Sequence, residues 1–230
     1  MASTQKKIQH LFLRAGFGET PGHINSLLNT PLSAIADELF TASHKYKDID
    51  YTPSSPTKQN GNITQGNVNL LKMYLNSYEE LEELNENWLF NMSYDSAVLR
   101  EKMTLFWHSH VATFVPIAYL MQMQNNTLRQ HALGKFSDLL HAIAKDPAMI
   151  IYLNNQQNSK ENPNENFARE VMELFTLGVG NYTEKDVKEG ARAFTGWAVN
   201  TSNGQYEFRD SEHDFDEKEF FGQKGNFNGE

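Results

Sequence analysis

Thr20-Pro21, Thr30-Pro31, Asp146-Pro147 and Asn162-Pro163 each pair a residue that caps helix N-termini with a proline directly after it. Proline has a fixed φ and no N–H, which suits the first position of a helix. The side chain before it supplies the acceptor that the first turn lacks. Asn162 with Glu165, and Thr183 with Asp186, add an acid at the third helical position, the capping-box spacing. Gly16, Gly134, Gly178 and Gly180 supply stops. Between these signals, helical periodicity covers about 4–14, 21–28, 31–42, 66–91, 95–110, 117–133, 135–145, 147–154, 163–177 and 183–197. No stretch alternates long enough for a major sheet. Tyr206-Glu207-Phe208 fits one short strand of a hairpin. The expectation is an all-α fold, an irregular multi-helix bundle with a short hairpin near the C-terminus.

One helical domain is expected over 1–230. Residues 43–65 read as a loop with little to bury, 154–166 as a polar connection, and 198–230 as an irregular tail rich in glycine, aromatic and acidic residues. The chain has 230 residues and no cysteine, so disulfides, thiolate metal sites and thiol nucleophiles are excluded. Any metal must sit on His, Asp or Glu. The net charge of −9 argues against nucleic acid and against anionic membranes as partners. The N-terminal residues lack the apolar core of a signal peptide, and no run reaches the ~20 apolar residues of a membrane span. A cytoplasmic location is expected, with export by another route left open.

Successive helical residues lie about 100° apart, so faces follow by arithmetic. In 167–178, Phe167, Val171, Leu174, Phe175 and Leu177 define an apolar arc, with Ala168 and Met172 at its flank. Arg169 falls opposite. Glu170 falls inside the arc, and Glu173 at its edge. A buried carboxylate needs a partner. In 98–110, His110 falls in the middle of an arc of Val98, Leu99, Met103, Leu105, Phe106 and Trp107. His108 projects away from it. If the helix continues through His110, the two histidines cannot share a metal. If it breaks there, an extended His-X-His aims both rings one way.

Two readings compete. In the plain one, His110 is a core histidine, the Glu170/Glu173 pair is a solvated face, and Arg169 and Arg192 supply salt bridges. In the sharper one, His110 and Glu170 turn inward and meet, with Glu173 and a residue such as His141 nearby. Buried groups of this kind concentrate at functional sites. Glu170-X-X-Glu173 lacks the histidine that a two-metal carboxylate bundle wants. His213-Asp214, with Asp216 and Glu217, offers ligands to a cation, although most such acidic turns are solvated. No phosphate loop, nucleophile elbow or zinc signature occurs. Trp107 and Trp197 read as core anchors. Gly190, Ala191 and Ala193 suit close helix packing.

Four blocks carry a family resemblance: His10-Leu11-Phe12-Leu13-Arg14-Ala15-Gly16-Phe17-Gly18; Met103 to His110; Asn164 to Gly178, with Arg169-Glu170 and Glu173; and Ala191-Arg192-Ala193-Phe194-Thr195-Gly196-Trp197, trailed by His213-Asp214. The chain resembles, over nearly its whole length, the N-terminal half of the bacterial domain-of-unknown-function 1800 family. The family pattern has Asn where this chain has Ser109. The resemblance implies a mostly helical bacterial protein of a longer family. It also implies two partners: a C-terminal half, and a co-encoded protein that resembles sulfatases. It supplies no reaction.

Two functions therefore stand as expectations. One is a metal-dependent, hydrolase-like enzyme, with His110, Glu170, Glu173 and Arg169 as the catalytic set. A divalent metal would sit on His108, His110, Glu170, His213 and Asp214. The other is a helical scaffold or partner-binding domain in which the same polar residues fix helix register.

Overall fold

The computed structural model describes residues 3–51 and 66–230, with the side chains of the fourth helix described from Ser77 onward. Helices α1 (Thr4–Ala15), α2 (Pro21–Ser26) and α3 (Leu32–Ala42) form an N-terminal cluster around Ile8, Phe12, Ile24, Ile35 and Leu39. The long α4 (Gly66–Tyr94) leads into α5 (Val98–His110) and then α6 (Ala118–His131). Helices α7 (Phe136–Ala144), α8 (Pro147–Tyr152), α9 (Glu165–Glu170) and α10 (Glu184–Ala193) follow. Helix α6 is the hub, since α4, α5, α7 and α8 all pack on it. Among the described residues, no helix is long and apolar enough to cross a membrane.

The capping signals work as read in three places. Thr20, Asp146 and Thr183 each accept a backbone N–H of the first turn, and Thr183 closes a full capping box with Asp186. Asn162 does not cap. It pairs with Ser159 in an isolated bridge, and Asn164 caps α9 instead. The expected helix at 163–177 is likewise two pieces, because α9 passes into a π-helical turn, Val171–Thr176. There Leu177 N–H reaches back to Met172 O at 2.8 Å, an i→i−5 bond.

The C-terminal expectation needs the larger correction. The molecule is mostly helical but not purely so. Helix α10 stops at Ala193, and the chain turns at Gly196, whose φ is +79°. Two antiparallel hairpins follow where an irregular tail was expected. Strand β1 (Trp197–Val199) pairs with β2 (Tyr206–Phe208), the strand read from the sequence, in the register Trp197↔Phe208. Strand β3 (Lys218–Phe220) pairs with β4 (Gln223–Gly225) and packs on α10. Gly190 lets them approach: a Cβ there would lie 3.3 Å from Ala168 Cβ and 3.4 Å from the Phe220 ring.

The expected loop at 43–65 lies partly outside the described residues. Its described part does bury something. Ile49 is 2% exposed in the central core, held at both backbone groups by the Asn126 amide at 2.8 Å. Between α8 and α9, asparagines do similar work. Asn155 donates to Trp197 O, Asn158 to Ala191 O and Asn166 to Leu153 O. A connection with only a short 3-10 turn and one isolated bridge of its own must satisfy its backbone partners this way.

Candidate functional site

Helix α5 runs unbroken through His110, so its two histidines diverge. His110 faces the π turn. Its Nε2 lies 3.1 Å from Phe175 O. Carbonyls in the last turn of a helix lack intrahelical donors, so this one is available to a side chain. A carbonyl can only accept, so Nε2 carries a proton, and in the neutral ring Nδ1 keeps its lone pair. Trp107 and Phe136 flank the imidazole, with ring centroids 5.9 and 6.4 Å away.

Glu170 lies across the same cleft. His110, Glu170, Asn166, Tyr152 and Leu174 line a cavity of about 470 Å³, floored by Leu153 and Phe175. The two sequence-read residues thus share one cavity but are not joined. No hydrogen bond or ion pair links them, and neither is buried: His110 is exposed and Glu170 half-exposed. The apolar arc that was to bury Glu170 is displaced. Phe167, Ala168, Met172 and Phe175 form the buried face, while Leu174 is 59% and Leu177 41% exposed. Helix α10 causes this by packing Val187 and Ala191 against Ala168 and Met172. Residues after the π turn are rotated from where a regular helix would put them.

The remaining nominated residues sit elsewhere. His108 turns to the other side of α5, edge-on to Trp88 at 5.1 Å between ring centroids. Burial lowers its pKa. Glu173 accepts a short hydrogen bond from the Tyr182 hydroxyl, which raises the tyrosine pKa. Arg169 holds Glu184 with two bonds of 2.9 and 2.8 Å and Glu165 with one of 3.1 Å. That is the salt-bridged face of the plain reading. His141 is exposed on α7.

His213 and Asp214 lock the C-terminal segment onto α10. His213 is 2% exposed, and its Nδ1 lies 2.8 Å from Thr195 O, to which it must donate. The Thr195 hydroxyl donates to Arg192 O and accepts from the Asp214 N–H. Asp214 pairs with Arg192 at 2.7 Å. Burial acts to raise the Asp214 pKa, but hydrogen bonds from Arg192 and the Asp216 backbone outweigh it, and the net shift is downward. Lys218, 1% exposed, donates to the carbonyls of Asp214 and Asp216. His213 and Asp214 are therefore engaged in holding the fold, while Asp216 and Glu217 are exposed.

Among the described residues, no three His, Asp or Glu side chains gather as metal ligands. Of the five nominated ligands only His110 and Glu170 line a common cavity, fewer than the three protein ligands of a typical catalytic zinc. The donor set does not fit the expected metal.

Two arrangements escaped the sequence reading. Glu19 and the His23 ring meet at 3.0 Å on a separate cleft of about 620 Å³ lined by α1, α2 and α3; their i,i+4 spacing was the available signal. The His23 contact helps hold the Glu19 pKa below its ordinary value, against the opposing effect of burial. Glu101 and Arg129 form the buried ion pair of the interior. Nothing local marked them, because their partners lie on different helices.

No curated protein and no solved structure matches the chain. Residues 10–230 match the model of a family described as a protein of unknown function, DUF1800. With nearly all of its length matched by that family's model, the chain belongs to the DUF1800 family.

Proposed function

We propose that the cleft between α5 and the π turn is an acid–base site of hydrolase type, with His110 as general base and Glu170 as the second proton-carrying group. The observation that carries this reading is the bond from His110 to Phe175 O. It fixes the ring with the proton of a neutral imidazole on Nε2, so that Nδ1 is the nitrogen able to take a proton from water or a hydroxyl. Asn166 and Tyr152 on the same cleft supply polar groups for orienting a small substrate. A cavity of about 470 Å³ lies within the range of small-molecule sites. No step here is assigned to a divalent metal.

The test is a panel of chromogenic carboxylic, phosphoric and sulfuric esters, assayed with the purified chain, His110→Ala and Glu170→Gln. Turnover of one ester class, lost in both variants while their melting temperatures stay near that of the parent, supports the reading. Turnover unchanged in His110→Ala, or no turnover of any ester, overturns it.

A second reading, a partner-binding helical domain, draws on the apolar rim of the same cleft, where Leu174 is 59% exposed. Its partners would be the C-terminal half or the sulfatase-like protein that the resemblance implies. Leu174→Asp should then abolish a complex with one of them while His110→Ala leaves it intact. Unchanged binding by Leu174→Asp removes this reading.

A further inference from the structure

The other histidine of α5 opens onto a different cavity. Where His110 faces the π turn, His108 faces the space between α4 and α6, a pocket of about 190 Å³. Its walls are Leu81, Leu84, Trp88 and Met121. One polar atom in it is buried without a partner. Asn125 is 5% exposed, and its side-chain oxygen is buried without a hydrogen bond. The His108 ring contacts Trp88 but forms no hydrogen bond among the described residues. Neighbouring polar groups are already committed: the Trp88 indole N–H donates to Glu101, and the Thr113 hydroxyl to Val111 O.

An orphaned acceptor inside a protein costs about 1–3 kcal/mol, and native interiors leave few of them. A buried unmatched acceptor on an apolar pocket, beside a half-buried imidazole without a protein hydrogen bond, therefore marks a place where a donor is missing. The space is larger than a single water needs, about 30 Å³, and comparable to the ~150 Å³ that admits a benzene ring. No charged side chain lines it, so an ion entering would lose its hydration without gaining a counter-charge. Asn85 and Phe114, both exposed, form the mouth.

We infer that this pocket is a binding site for a small neutral aromatic alcohol, a molecule of phenol's size and chemistry. Its hydroxyl donates to Asn125 Oδ1 or meets the His108 ring, and its ring lies among Leu84, Trp88 and Met121. Burial keeps the imidazole neutral, so it offers one donor and one acceptor without repelling such a guest. The site is independent of the cleft at His110.

The experiment is a titration of the whole chain with phenol, and with benzene as the matched hydrocarbon. It is followed by thermal shift and by the ring ¹⁵N resonances of His108. Saturable phenol binding, at least ~10-fold tighter than benzene and moving the His108 resonance, is the expected result. Asn125→Leu should erase that preference. If this variant does not fold, the His108 resonance in the parent decides alone. Equal affinity for the two compounds, no saturable binding, or a crystal structure that keeps only water in the pocket under saturating phenol overturns the proposal.

Discussion

Glu101 and Arg129 meet at 2.6 Å with side chains 1% and 0% exposed, and between them they tie four segments together. Arg129 also donates to Asn126, the residue that clamps Ile49. Trp88 of α4 donates to the second carboxylate oxygen of Glu101 at 2.9 Å. Arg100, next to Glu101 on α5, donates to Arg129 O at 2.6 Å and to Ser43 O at 2.7 Å, with Tyr46 4.0 Å beneath its guanidinium. A buried pair is stabilising only when its polar atoms find partners, and here each guanidinium nitrogen and each carboxylate oxygen has one.

Removing one partner should be severe. Glu101→Ala leaves a guanidinium in a dry interior, and a loss of about 3–5 kcal/mol is expected in urea unfolding. The double variant Glu101→Leu/Arg129→Met should recover much of that loss, because it removes both charges at similar volume. A single variant within 1 kcal/mol of the parent, in the sense of ~1 kcal/mol for an ordinary exposed pair, would mean the pair carries no such role.

Asp146 should make stability depend on pH in the less common direction. It caps α8 by accepting from Met149 N, and also accepts from Gln124 at 2.9 Å. Burial raises its pKa from 3.8 to about 7. Between those values the folded chain holds a proton that the unfolded chain has released. Its contribution is therefore complete below pH 3.8 and is lost as pH rises toward 7. Asp146→Asn keeps a capping oxygen and cannot ionise. The variant should match the parent in acid and exceed it above neutrality, measured by melting temperature across that range. A gap that does not widen with pH refutes this.

Gly196 should not tolerate a side chain. Its φ is +79°, and a Cβ would lie 2.6 Å from Arg209 O, a backbone atom that cannot swing away. Gly196→Ala is expected to cost about 1–3 kcal/mol from conformation alone, with the clash added. Gly222, also at positive φ but with nothing within 4 Å, is the control and should cost less. Equal losses at the two positions would show that the turn can open.

The His110 tautomer is directly observable. Long-range ¹H–¹⁵N spectra in alkaline buffer should show the proton on Nε2, as the bond to Phe175 O requires. A proton on Nδ1 would remove the general base from the proposed cleft. His110→Ala should cost about 0.5–1.5 kcal/mol, the worth of one ordinary hydrogen bond, since the ring is exposed.

Much of the local architecture was legible because its causes are local. Thr20, Asp146 and Thr183 mark real helix starts, since a cap with a following proline, or a capping box, acts within one turn. Tyr206-Glu207-Phe208 was recognisable as a strand, although its partner Trp197–Val199 was read as the last residue of a helix and the start of an irregular tail. Gly196 is what separates the two, and its left-handed backbone answers to the close approach of Arg209 rather than to its neighbours in sequence.

The candidate site was half legible. Helical arithmetic correctly separated His108 from His110, because α5 is regular to its end. The same arithmetic misplaced Glu170, because it assumed a regular helix and let the apolar residues decide which face is inside. Leu174 and Leu177 are apolar and exposed; Ala168 and Met172 are smaller or more adaptable and buried.

By itself, then, the sequence determined the number and placement of most helices, the lack of thiol chemistry and the family, all of which rest on short-range chemistry or on composition. Only the tertiary structure decided which faces are interior and which polar groups meet. Burial is a property of what packs against a face: α10 settles it for Glu170, and α6 brings Arg129 to Glu101 across 28 positions of chain.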